Sequence, residues 1–250
     1  MKKSQISYTM LLGVIILTFS FILFFSINKQ KPSDSESISF ESVKVYVDQC
    51  LKSSLEQAIL TTGIQGGLYN DSYNSLYYLF YALPYYSSGT TKSVIPLDII
   101  EKQISYNTQD NLIYCLNDFE PLKPIGFTFE DSEPTAKALI TDSQVIVDLS
   151  YPFKVVIGST VRGFNKFSAS VPSRYKLVHS VASNIAEDFS KDPARICISC
   201  MIDYAHPKDL NISVTNFGEK DVVVSILDKK VKINDNYFVF NFLHNTGGVK

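Results

Sequence analysis

Read as apolar and polar positions, the chain opens on one long apolar block. From Met10 to Ile27 it runs MLLGVIILTFSFILFFSI, 18 residues without a charge. At 1.5 Å rise per residue, a helix of that length spans about 27 Å, close to the ~30 Å hydrocarbon core of a bilayer. The block is longer than the apolar stretch of a cleaved signal peptide, and the FFSINKQ at its end lacks the small-x-small pattern a signal peptidase needs. No Cys stands directly after it to carry a lipid. The expectation is an uncleaved, single-pass signal anchor over residues 10–27. It follows a short cytoplasmic N-terminus (1–9) and precedes a polar tether, NKQKPSDSES (28–37).

Beyond the tether the pattern changes to the helical period. Val43, Val47, Cys50, Leu51, Leu55, Ala58, Ile59 and Thr62 fall on one face of a helix that Ser39 caps and Gly63 stops. PLDIIEKQI (96–104) and TQDNLIYCLNDF (108–119) predict two short helices, the second with Leu112, Cys115, Leu116 and Phe119 on one face. Seven tyrosines and a phenylalanine lie between Tyr69 and Tyr86. An aromatic surface for glycans or peptides is one reading of them. The reading preferred here is a buried strand at SLYYLFYAL flanked by loop tyrosines, because aromatic residues favour strands and an uninterrupted apolar run suits a strand covered on both faces.

From Pro121 the period is two. IGFTFED, TAKALIT, QVIVDLSYPFKVVIG and KFSASVP predict a meander with tight turns such as TDSQ. YKLVHSVASNIAEDFSKDP (175–193) predicts a further amphipathic helix. A short segment with Cys197 and Cys200 follows, then three strands at LNISVTNF, DVVVSILD and YFVFNFL. The fold class expected for residues 38–250 is α+β with mostly antiparallel sheet, as one domain or as two packed lobes, 38–120 and 121–250.

Composition supports a proper core, with 45% hydrophobic and 19% charged residues. A net charge of −2, with no basic stripe, gives no case for a nucleic-acid partner. Lys2 and Lys3 before the anchor nearly balance Lys29 and Lys31 after it, so the charge rule barely orients the chain. The cysteines and the large trailing domain place that domain outside the cytoplasm.

Four cysteines allow three pairings. Cys50 and Cys115 each fall on the apolar face of a predicted helix, so packing of the two helices would bring them together and leave Cys197 with Cys200. Two structural bridges are expected in an extracytoplasmic domain. The C-x-x-C of RICISCM admits two other roles. As a redox centre it would need Cys197 at a helix N-terminus, after a buried strand; a helix and SKDPAR precede it instead, and no proline follows Pro207 to face the disulfide as in thioredoxin-like proteins. As half of a metal site it would need His206 and either His179 or His244, at no recognisable ligand spacing. No metal or other cofactor is expected.

Hydrolytic motifs are absent, and VIGSTVRG fits neither a nucleophile elbow nor a phosphate loop. Asp98 with Glu101, and Asp118 with Glu120, read as solvated helix surface. No catalytic residue is assigned. Asn70 in NDS and Asn211 in NIS fit the glycosylation triplet.

The run VKVYVDQCLKSSLEQAILTTGIQGGLY, followed by LPYY, PLDIIEKQISYNTQDNLIYCL and ICISC, resembles a family of uncharacterised archaeal proteins anchored in the membrane at the N-terminus. The resemblance rests on the spacing of four cysteines and on GIQGG, and covers most of the chain after the anchor. It implies a location and an architecture and no catalytic residue. The function expected is binding or structural at the cell envelope, with membrane lipid, envelope proteins or glycans as partners. An envelope thiol–disulfide oxidoreductase using Cys197 and Cys200, or a pilin-like filament subunit, is the alternative. Against the filament, no glycine processing site precedes the apolar run and no Glu sits early in it.

Overall fold

The structure is a computed structural model that describes residues 40–69 and 73–247. The expected anchor, tether and N-terminus lie outside the described residues. Among the described residues no helix is long and apolar enough to cross a membrane.

The first helix, α1 (Phe40–Ile64), follows the sequence pattern closely: every residue of the expected face is buried. At 1.5 Å per residue its 25 residues run about 37 Å. It packs on a second helix, α2 (Leu97–Leu116), and on strands of both sheets described below. Gly63 is not its stop. A Cβ there would collide with the Phe238 ring and the Val239 carbonyl, so Gly63 lets the helix approach a strand closely. The turn is made instead at Gly66, whose φ of +62° a side chain would resist.

The larger sheet has the order β1–β2–β10–β9–β8, with β3 also paired to β2. Its strands are β1 (Ser75–Tyr78), β2 (Tyr81–Ser88), β3 (Thr91–Lys92), β8 (Leu210–Phe217), β9 (Asp221–Ile233) and β10 (Asn236–Asn245). The β2–β10 pairing is parallel and the others are antiparallel. The smaller sheet is the predicted meander: β4 (Phe127–Asp131), β5 (Thr135–Ile140), β6 (Gln144–Ile157) and β7 (Thr160–Pro172). β5 and β4 take successive parts of β6, and β7 pairs along both. Alternation along β6 is strict, with Val145, Val147, Leu149, Tyr151, Phe153 and Val155 buried. Thr141 and Gln144 close the β5–β6 turn through backbone and hydroxyl bonds.

Helix α3 (Tyr175–Lys191) lies on β2 and β10, and the short α4 (Ile198–Ala205) packs on α3 and β8. Tyr86, Tyr175, His179, Phe240 and Phe242 form the aromatic centre between them. The fold is α+β with mostly antiparallel sheets, as expected. A further expectation changes. The two short helices at 96–119 are one continuous α2, with Ser105 and Asn107 buried mid-helix rather than marking a break. β2, from before residue 121, shares a sheet with β10 from after it.

Candidate functional site

Both cysteine pairs are disulfides, Cys50–Cys115 and Cys197–Cys200. Cys50 sits on the buried face of α1, and Cys115 in the last turn of α2, with their Cα atoms 5.6 Å apart. One turn before Cys50, the Tyr46 hydroxyl donates to the carbonyls of Cys115 (2.9 Å) and Leu116 (3.2 Å). Those carbonyls belong to the last turn of α2, which has no intrahelical donors left for them. The bridge therefore closes a junction that packing and capping already hold. Cys115 itself is exposed, although the helix pattern put it on the apolar face.

The second cystine sits at the start of α4. Cys197 is its N-cap, and its sulfur accepts from the Cys200 N–H at 3.2 Å. The sequence required this position of a redox cysteine, and the structure supplies it; the buried strand it also required is missing, because the loop after α3 leads into α4. Both sulfur-bearing residues are half-buried, and Ile198 and Ile202 beside them are exposed. The Tyr204 hydroxyl of α4 donates to Asp188 of α3 at 2.7 Å. That bond is the main reason the Asp188 carboxyl lies below its ordinary value, and it pins α4 in place.

An open groove of about 950 Å³ lies between α1 and the small sheet. Lys44, Asp48 and Lys52 line it from α1. Thr135, Lys137, Asp148, Ser150, Lys166, Ser168 and Ser170 line it from β5, β6 and β7. Four lysines face two aspartates, and Lys44 is already bonded to Asp48 at 2.9 Å, which raises the lysine's pKa. Lys52 also pairs with Glu56 at 4.0 Å, which leaves a small positive excess, and with its row of hydroxyls the groove suits a hydroxylated, negatively charged chain molecule. Sequence reasoning missed this groove. Its residues are single polar positions on alternating strands, and only the meander brings them together.

The tyrosine-rich segment is not one buried strand. It folds back on itself as the β1–β2 hairpin, with Leu79 and Phe80 as its two-residue turn. Leu76, Tyr78 and Tyr85 pack against Leu83, Val223 and Leu243, while Tyr77, Leu79 and Phe80 are exposed.

The histidines and carboxylates divide clearly. His179 bonds the Ile95 carbonyl at 2.7 Å through Nε2. His244 bonds Ser87 through Nδ1 and the Pro193 carbonyl through Nε2. Burial lowers both imidazole pKa values. These are core residues, and among the described residues no cluster of potential ligands could hold a metal. His206 begins a 3-10 turn ahead of Pro207. Glu101, expected on the solvated surface, instead accepts from the Ile140 N–H at 2.8 Å. Glu120 pairs with Lys123, and Asp98 and Asp118 are exposed. Asn211 is exposed on β8, and Asn70 lies outside the described residues.

No family model, no curated protein and no solved structure matches the chain.

Proposed function

We propose that the protein is a single-pass membrane-anchored protein whose disulfide-stapled domain stands outside the cytoplasm and binds an anionic, hydroxylated partner at the cell envelope. The observation that carries this reading is the pair of cystines, each with at least one partly accessible half, although Cys50 is buried. Cys115 is open to solvent and the 197–200 pair is half-open. Bridges so accessible persist in an oxidising compartment and are reduced in a glutathione-buffered one. The apolar run 10–27 supplies the anchor, and the archaeal family resemblance agrees with both without lending a residue. The exposed Asn211 is compatible with glycosylation there.

Two experiments test it. An amine reagent that cannot cross membranes, applied to intact cells, labels lysines of residues 40–247; labelling only after lysis contradicts the topology. Lys137→Glu with Lys166→Glu abolishes retention of the full-length chain on an acidic oligosaccharide resin; unchanged retention removes the groove from the reading.

One observation favours a second reading, thiol–disulfide exchange at the cell envelope. Cys197 caps α4, where the helix dipole stabilises a thiolate. In that reaction the cystine is reduced as a partner dithiol is oxidised. A 197–200 pair that titrates near about −200 mV and exchanges readily supports this reading; a potential below about −300 mV leaves it a staple.

A further inference from the structure

We propose that the tip of the β1–β2 hairpin inserts into the interfacial layer of a lipid bilayer, with Leu79 and Phe80 reaching the acyl boundary and Tyr77 and Tyr81 at headgroup level. The inference rests on the anchoring of residues 10–27 proposed above.

The tip is apolar where a folded domain has no use for apolar side chains. Leu79 is 74% exposed, Phe80 90% and Tyr77 67%. The hairpin is nonetheless held firmly. Leu76 and Tyr78, on its inner side, pack on Leu83, Val223 and Leu243, and Tyr78 meets Phe217 edge-on at 5.3 Å. Alternation along β1 therefore aims Tyr77 outward, and the turn carries its two side chains beyond the sheet.

The turn chemistry is unusual as well. Two-residue hairpin turns that need a positive φ take Gly, Asn or Asp. Here Leu79 stands at φ +56°, a backbone position that disfavours any branched side chain. An apolar residue kept in so unfavourable a place points to a use for its side chain.

Three features select a bilayer over a protein surface. From Ser72 to Thr91 the sequence carries no charge at all, so the hairpin itself brings no charge into the headgroup layer. A convex pair of Leu and Phe collared by tyrosines reproduces the order of residues found at membrane interfaces, aliphatic and Phe side chains deeper and tyrosines at the headgroups. The twelve residues 28–39 between the apolar run and the fold can extend at most about 40 Å. Under the proposed anchoring, that length keeps the start of the fold within about 40 Å of the bilayer.

The chain contains no tryptophan, so Phe80→Trp gives the full-length protein a single reporter at a position exposed enough to leave the fold intact. Reconstituted in phosphatidylcholine vesicles, its emission should shift to the blue. It should lose intensity to lipids brominated in the acyl chains and be shielded from aqueous acrylamide. A Val161→Trp reporter at the exposed start of β7 should show the opposite. If acrylamide quenches both reporters equally, the inference is overturned. A blue shift that follows protein density and ignores brominated lipid also overturns it, because a second copy then covers the tip. Alkaline extraction of the same vesicles tests the anchor separately. A chain retained with an unquenched reporter refutes the tip alone. A quenched reporter on an extractable chain upholds the tip and refutes the anchor.

Discussion

Arg174, at the start of α3, forms a partly buried ion pair with Asp228. Its guanidinium donates to both Asp228 oxygens, Nε at 2.8 Å, and to the Lys208 carbonyl at 2.8 Å. Asp228 is wholly buried and also accepts from the Lys230 N–H, inside a register shift between β9 and β10. Removing one partner strands the other charge away from water. Arg174→Ala should therefore cost about 3–5 kcal/mol of unfolding free energy in denaturant titration, and a loss below about 1 kcal/mol contradicts the assignment. Nothing in the sequence singled out this pair, 54 positions apart. Asp228 looked like the end of the strand DVVVSILD, and only the tertiary fold brings an arginine to it.

The two buried histidines give the molecule a pH response whose sign is fixed. Burial, partly opposed by their carbonyl bonds, holds both imidazoles below the ordinary 6.5. Below that value the unfolded chain binds protons that the folded one refuses. Their contribution is thus complete above about pH 6.5 and is lost as the pH falls. The carboxyls of Glu187 and Asp188 are also lowered, but from 4.5 and 3.8, so their share goes at more acid pH. The melting temperature should be lower at about pH 5 than at about pH 7.5; an equal or higher value at the acid end contradicts the burial argument.

At the scale of elements, the clearest device is the way α2 covers the edge of β5. Glu101, Ser105 and Gln109, one turn apart, accept in order from the backbone N–H groups of Ile140, Ala138 and Ala136 at 2.8, 2.8 and 3.0 Å. Three donors that β6 leaves unused are satisfied by side chains, and the edge is closed to other strands. Glu101→Leu with Gln109→Leu should cost about 1–3 kcal/mol for each N–H left unpaired. It should also promote self-association, visible in sedimentation; a monomer of unchanged stability contradicts the role. This ladder was illegible in the sequence, because polar residues every fourth position look the same against a strand edge as against water. The face of α1 was legible because its apolar spacing runs unbroken from Val43 to Thr62. The aromatic hairpin deceived for the opposite reason: its two-residue turn is Leu-Phe, which carries no turn signal and joins two strands into one apolar run.

At the scale of the molecule, the sequence foresaw the α+β class and the meander, because each rests on local periodicity, and the cysteine pairing, although Cys115 lies exposed rather than on the expected apolar face. The groove and the close approach of Gly63 to β10 arise only when distant segments meet. The long bridge ties α1 to α2 across 65 positions. Cys115→Ser should lower stability by about 4 kcal/mol in the chain-entropy account, read from denaturant unfolding of the full chain; an unchanged curve denies the bridge its structural part. The central claim, an oxidised domain outside the cytoplasm, is tested most directly by the thiol state in the cell. The full-length protein would be taken from intact cells, alkylated at once without reduction, and mapped by peptides. The account predicts one peptide pair joining Cys50 to Cys115, an internal bridge between Cys197 and Cys200, and no alkylated cysteine. Four alkylated cysteines would contradict it.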